Sequence, residues 1–187
     1  MTILELLEIK HPIFISPMAG VSTPELAAEV SNQGALGALG LGANTPEATK
    51  EQIIKTQSLT DKPFQVNFFC HQSEQLDQDV AQQWINYLRP HFEKFDAQPP
   101  QQLNCIYPSF LDSDDYLDIV LQTQPKAVSF HFGIPKAHQI SALKQAGIIT
   151  MVSATNLAEA RAIEAAGIDV VIAQGIEAGG HRGIFST

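Results

Sequence analysis

Short apolar runs alternate along the chain with longer stretches in which apolar positions recur at helical spacing. The short runs fall near residues 13–16 (IFIS), 35–41 (ALGALGL), 64–69 (FQVNFF), 127–132 (AVSFHF), 148–153 (IITMVS) and 168–173 (IDVVIA). Each predicts a β-strand. Thr23-Pro24-Glu25 and Thr45-Pro46-Glu47 read as helix starts. A hydroxyl caps free N–H groups, a proline occupies the first helical position, and an acid faces the positive end of the helix dipole. Further helices are predicted from Ser73 to about Arg89, where Pro90 should interrupt, and from about Ser113 to Gln122. Two more run over Pro135–Gln145, closed by Gly147, and over Thr155–Ala166, capped by Thr155 and closed by Gly167. Trp84, Tyr87 and Leu88 share a helical face and read as core.

Strand followed by helix, repeated with short connections, predicts an α/β fold of parallel strands joined by crossover helices. Near-continuous apolar strands fit a sheet covered on both faces or closed into a barrel. Residues 71–125 break the rhythm and read as a helical insertion within one domain spanning 1–187.

Composition narrows the function classes. Hydrophobic residues are 44% of the chain and charged residues 17%, enough apolar material for a sizeable core. Eleven basic against twenty acidic residues leave a net charge of −9, so neither nucleic acid nor an anionic membrane is an expected partner. The N-terminus has no basic start followed by an apolar run, and no apolar stretch approaches the roughly 20 residues of a membrane span. A cytoplasmic protein is the expectation. Cys70 and Cys105 complete no disulfide framework or metal spacing and read as small buried hydrophobes. No HExxH-like spacing is present, so no metal is expected.

Candidate chemistry collects after the strands. Ala173-Gln174-Gly175-Ile176-Glu177-Ala178-Gly179-Gly180-His181-Arg182-Gly183 directly follows the last apolar run. Its glycines permit close backbone approach to a ligand, and successive N–H groups could hold an anion or the polar edge of a ring. His181 supplies a titratable group and Arg182 a cation. A flexible loop with an incidental histidine is the competing reading. Asn67 is a polar residue inside an apolar strand and must find partners, structural or ligand. His131 ends a strand, as either a substrate contact or a bonded core histidine. Gly34, Gly37, Gly40 and Gly42 do not match a dinucleotide or P-loop fingerprint and read as tight helix–strand packing.

Together these segments resemble a known family over nearly the whole chain. The run from Pro17 to Leu26 (PMAGVSTPEL) is similar to the first-strand loop of bacterial nitronate monooxygenases, and Gly34–Gly40 (GALGALG) to their second strand. Val128–Pro135 (VSFHFGIP) and the terminal AQGIEAGGHRG resemble two further hallmarks. The resemblance implies an FMN-dependent (β/α)8 TIM barrel that oxidises alkyl nitronates with dioxygen to a carbonyl compound and nitrite. Propionate 3-nitronate is the implied substrate and detoxification the implied purpose. By the same resemblance, His181 is the catalytic histidine. Asn67, Gln174 and Gly179 contact FMN, Met18, Ala19 and Gly180 lie close to its ring, and His131 lies near the substrate.

A (β/α)8 barrel usually takes about 250 residues, often with phosphate bound after its last strands. The sequence carries about six of the eight strands and none of the family's phosphate loops. The expectation is therefore an incomplete barrel that binds FMN poorly or not at all by itself. Two alternatives stand beside this one: an enzyme like the FMN-dependent enoyl-ACP reductases, which share the barrel and a similar glycine–histidine loop, and an inactive remnant that acts through a partner.

Overall fold

The computed structural model describes residues 1–185; Ser186 and Thr187 lie outside the described residues. The chain divides into two compact units, one formed by Met1–Gln72 with the chain from Tyr107 onward, the other by Ser73–Ile106.

The first unit is built on five parallel strands, β1 (Gly37–Gly40), β2 (Phe64–Phe69), β3 (Ala127–His131), β4 (Ile149–Ala154) and β5 (Val170–Ala173), which lie side by side in chain order. That order never reverses. A doubly wound sheet reverses at a switch point, whereas a (β/α) barrel adds each strand on the same side of the last. The fold is an incomplete TIM-barrel type of the α/β class. Its helices are α1 (Ile3–Leu7), α2 (Pro24–Asn32), α3 (Pro46–Leu59), α5 (Asp115–Thr123), α6 (Ala137–Gln145) and α7 (Leu157–Ala165), while α4 (Gln78–Glu93) belongs to the second unit.

Side chains alternate between the two faces of each strand. Leu39, Val66, Phe68, Val128, Phe130 and Val152 share one cluster with Ile53, Val120, Leu143 and Ile163 of the crossover helices. On the opposite face Leu36, Ala127 and Met151 pack with Leu7 and Ile9 of the N-terminal segment. Further along that second face, toward the C-terminal strand ends, the residues turn polar: Asn67 pairs in register with Ser129, and Phe69 with His131.

Gly37 in β1 and Gly42 just beyond it are points of close approach. A Cβ at Gly37 would lie 2.0 Å from the carbonyl oxygen of Ala27 in α2, and one at Gly42 would lie 2.8 Å from the Phe69 ring.

Several expectations need correction. Residues 13–16 form an isolated parallel bridge, Phe14 with Leu36, in place of a strand. Pro12 and Pro17 flank the segment and supply no N–H, so pairing stops after Ile15 N to Leu36 O and Leu36 N to Ile13 O. The cap of α7 is Asn156, whose side chain accepts from Glu159 N; the Thr155 hydroxyl donates to the Glu159 carboxylate. Pro90 does not end α4, which runs on to Glu93. It falls in the last turn, where its missing N–H removes one bond and a freed carbonyl can reach solvent. Trp84, Tyr87 and Leu88 are not core: they are 54%, 66% and 38% exposed, and Ala81 and Ile85 are the buried positions of α4. Cys70 is buried as expected, but Cys105 is exposed. No helix among the described residues is long and apolar enough to cross a membrane.

Candidate active site

Parallel strands aim their C-terminal ends the same way, so polar residues that end successive strands meet at one rim. Gly40, Asn67 and Ser129 are register partners across β1, β2 and β3. His131 ends β3, Ser153 stands next to the last position of β4, and Gln174 follows β5.

Asn67 is 5% exposed, and its Nδ2 donates to the Ser129 carbonyl at 3.1 Å and to Ser129 Oγ at 3.0 Å. The structural need for partners is thus met through the amide nitrogen, which leaves Oδ1 as the acceptor for a ligand. Met18 and Ala19 cross the end of β1: a Cβ at Gly40 would lie 2.9 Å from Met18 N and 3.0 Å from Ala19 N. That crossing is fixed by Ser22, whose Oγ accepts from Met18 N at 2.8 Å and donates to the Ser16 carbonyl at 3.2 Å.

The loop after β5 is pinned by its own first residue. Gln174 Nε2 donates to the His181 carbonyl at 2.8 Å, and Gln174 Oε1 accepts from Gly183 N at 2.7 Å. The amide keeps a second N–H and a second lone pair, so it can hold the loop and still meet a ligand. Beyond the clamp the loop is open. A Cβ on Gly179 or Gly180 would meet nothing within 4 Å, and Gly180 has φ +73°, which favours glycine.

His181 is exposed and stands against aromatic rings, with centroids 6.0 Å from Phe132 and 6.3 Å from Phe69. Phe132 also packs on Phe69 at 5.0 Å and on His131 at 5.2 Å. It holds φ +70°, a left-handed conformation uncommon for a bulky residue. That turn takes the chain out of β3 immediately after His131 and places the Phe132 ring between the two histidines.

His131 is partly buried, and its Nδ1 lies 2.9 Å from Ser153 Oγ. Burial pushes its imidazole below the ordinary histidine value; a hydrogen bond to the His181 backbone works against this, and the His181 side chain adds to the lowering. His131 is therefore neutral near pH 7.

The structure brings His131, His181, Gln174, Gly179 and Gly180 together on one loop-and-strand assembly, with Asn67, Met18 and Ala19 on the same rim. Arg182 lies in the clamped segment and is exposed. Two residues of the assembly escape sequence reasoning. Ser153 looks like an ordinary strand end, and Glu159 like a surface acid of an amphipathic helix. The polar residues Ser153, Thr155 and Asn156 at the end of an apolar strand were the available signal.

A family model described as nitronate monooxygenase matches residues 1–187. A nitronate monooxygenase of Paraburkholderia phytofirmans is 55% identical over 98% of this chain, and one of Pseudomonas aeruginosa is 50% identical over 96%. Among solved structures, a nitroalkane oxidase from Streptomyces ansochromogenes superposes with a TM-score of 0.83 at 38% identity, covering 96% of this chain and 50% of that one. FabK from Thermotoga maritima superposes at 0.70 with 32% identity, covering 98% and 47%. The chain spans about half the length of the curated relatives it matches, 50% and 51% for the first two. With its full length matched by the family model, the chain belongs to the nitronate monooxygenase family.

Proposed function

We propose that the chain carries the ring-binding and proton-handling half of an FMN-dependent enzyme that oxidises alkyl nitronates of the propionate 3-nitronate type with dioxygen. The products are a carbonyl compound and nitrite. The observation that carries this reading is the single rim on which Asn67, His131, Gln174 and the His181 loop converge. Family membership supplies the reaction class.

The donor set fits the ring end of a flavin. Asn67 Oδ1 is an acceptor on a fixed amide, the Gly179–Gly180 backbone borders open space, and Met18 and Ala19 present backbone at the end of β1. A bound FMN would supply the electron-accepting chemistry that the side chains lack. Asn67, Gln174 and Gly179 would hold it, with Met18, Ala19 and Gly180 against its ring. His181 would take the α-proton of a neutral nitroalkane, or stabilise the charge of a substrate that arrives as the nitronate. His131, neutral and partly buried, would border the substrate. The low polarity of the Phe69–Phe132 surface would strengthen both electrostatic contacts.

The test is nitrite release from propionate 3-nitronate by the purified 187-residue chain at saturating FMN. Nitrite that disappears in His181→Asn with flavin binding retained supports the reading. A chain that binds FMN and releases no nitrite overturns it, as does NADH consumption with an enoyl thioester and no nitrite from the nitronate.

A further inference from the structure

We propose that Ser153 is a positioning residue: its hydroxyl fixes His131 as the Nε2–H tautomer, and through that ring it sets the position of the loop bearing His181. The two edges of the His131 imidazole face different neighbours. Nδ1 lies 2.9 Å from Ser153 Oγ. The opposite edge faces the loop: a Cβ added to Gly183 would lie 3.2 Å from Nε2 and 3.3 Å from Cδ2, and 3.2 Å from Ser153 Cβ as well. Ring, serine and glycine therefore fill one space, and a Cβ at Gly183 would press on both ring and serine.

Proton counting fixes the tautomer. A neutral imidazole has one N–H and one bare nitrogen. Ser153 Oγ–H is a buried donor and Nδ1 is the ring nitrogen 2.9 Å from it, so Nδ1 is the acceptor, while the Nε2 edge faces the loop. The ring proton therefore sits on Nε2. Nδ1 is left with a lone pair inside the protein, and the Ser153 hydroxyl is the donor that meets it. Ser153 is 2% exposed, so water does not replace that donor readily.

The result is a chain of contacts: Ser153 Oγ–H to His131 Nδ1, the His131 Nε2 edge against the loop at Gly183, and Gln174 Nε2–H to the His181 carbonyl at 2.8 Å. The His131 ring and the Gln174 amide together hold the loop that sets His181 against Phe132. His131 is then bonded at Nδ1 and packed against the loop at its other edge, so it acts on the site through the loop. The consequence for turnover rests on the nitronate-oxidising reading above; the tautomer and the loop position do not.

The experiment is ¹⁵N-edited NMR of the histidine rings in the full 187-residue chain, with amide exchange at Gly183 followed alongside. The wild-type protein should show His131 with a proton on Nε2 and a hydrogen-bonded acceptor at Nδ1. Ser153→Ala should move Nδ1 to the value of an unbonded acceptor and speed exchange at Gly183 about tenfold, the equivalent of one lost hydrogen bond. Ser153→Thr, which keeps the hydroxyl, should restore the wild-type Nδ1 signal. A wild-type ring protonated at Nδ1 overturns the proposal without any variant being needed. So does a Ser153→Ala spectrum in which Nδ1 and Gly183 are unchanged. If these shifts occur in a chain that releases no nitrite, the positioning role stands and the functional reading falls.

Discussion

Glu159 ties two distant backbone segments to one carboxylate. Its Oε2 accepts from Thr155 N at 2.6 Å and Thr155 Oγ1 at 2.8 Å, while Oε1 accepts from Phe185 N at 3.0 Å. It thus fastens the far side of the His181 loop to the start of α7, as Gln174 fastens the near side. Burial raises the Glu159 pKa, but the bonds from Thr155, Phe185 and Asn156 outweigh it, and the net value lies below the ordinary 4.5. Because the folded value is depressed, the stabilisation is fully present above the unfolded value. It is lost as pH falls through the folded one. The Phe185 amide should therefore lose its protection, corrected for intrinsic exchange, only in acid below about pH 4.5. In Glu159→Gln that acid step should vanish, leaving a weaker bond at every pH. An identical acid step in both proteins would remove Glu159 from this role. The same residues show where sequence reading stops. Asn67 and His131 are legible as polar residues inside or at the end of apolar runs, and Gln174 and His181 as polar residues of the glycine-rich loop that follows one. Ser153 and Glu159 act on partners 22 and 26 residues away, and the polar residues that end β4 mark the neighbourhood without naming those partners.

Element boundaries follow local chemistry closely where one signal acts alone. Thr23 and Thr45 cap α2 and α3 as their Thr-Pro-Glu runs predict, accepting from Leu26 N at 3.2 Å and Ala48 N at 3.3 Å. Where two signals compete, the tertiary structure decides. Thr155 and Asn156 are both suitable caps, and the Glu159 carboxylate draws the threonine hydroxyl to itself, leaving Asn156 Oδ1 to accept from Glu159 N at 3.0 Å. Asn156→Ala should therefore lower stability by about 1 kcal/mol, the ordinary cost of losing a cap, read as a shift of the urea midpoint at constant slope. An unshifted midpoint would mean that Thr155 caps the helix after all. The same competition explains α4: a proline in a last turn costs one bond, and fifteen other positions of a 16-residue helix keep their preference. The exposed Trp84 and Tyr87, 5.6 Å apart in an edge-on pair, show that helical spacing marks a face without saying what covers it.

At the scale of the molecule, the parallel winding was legible because six apolar runs alternate with helix signals, and winding needs no long-range detail. The closure of the inner face was not legible. Leu7 and Ile9 lie in a short acidic N-terminal stretch with no strand or membrane pattern, yet they cluster with Leu36, Ala127 and Met151 on the face of the sheet away from the crossover helices. Helix α1 is held in shape by a capping box, with Thr2 Oγ1 accepting from Glu5 N at 3.2 Å and the Glu5 carboxylate accepting from Thr2 N at 2.6 Å. It therefore arrives at the sheet as a formed turn that presents Leu7, with Ile3 and Leu4 packed beside it. The residues it meets lie toward the strand starts, opposite the rim of Asn67, His131 and Ser153. Apolar closure at one end leaves the polar groups at the other, so α1 supports the site without touching it. Leu7 is fully buried, and Leu7→Ala should cost about 2–5 kcal/mol, the transfer term plus the cavity left among Leu36, Ala127 and Met151. Leu4→Ala, on a partly buried side chain of the same helix, should cost clearly less. Urea unfolding of the two variants measures both, and equal losses would show that α1 contributes only through its own helicity. The wild-type His131 tautomer signal should survive Leu4→Ala unchanged, since the packed end and the polar rim are separate parts of one face.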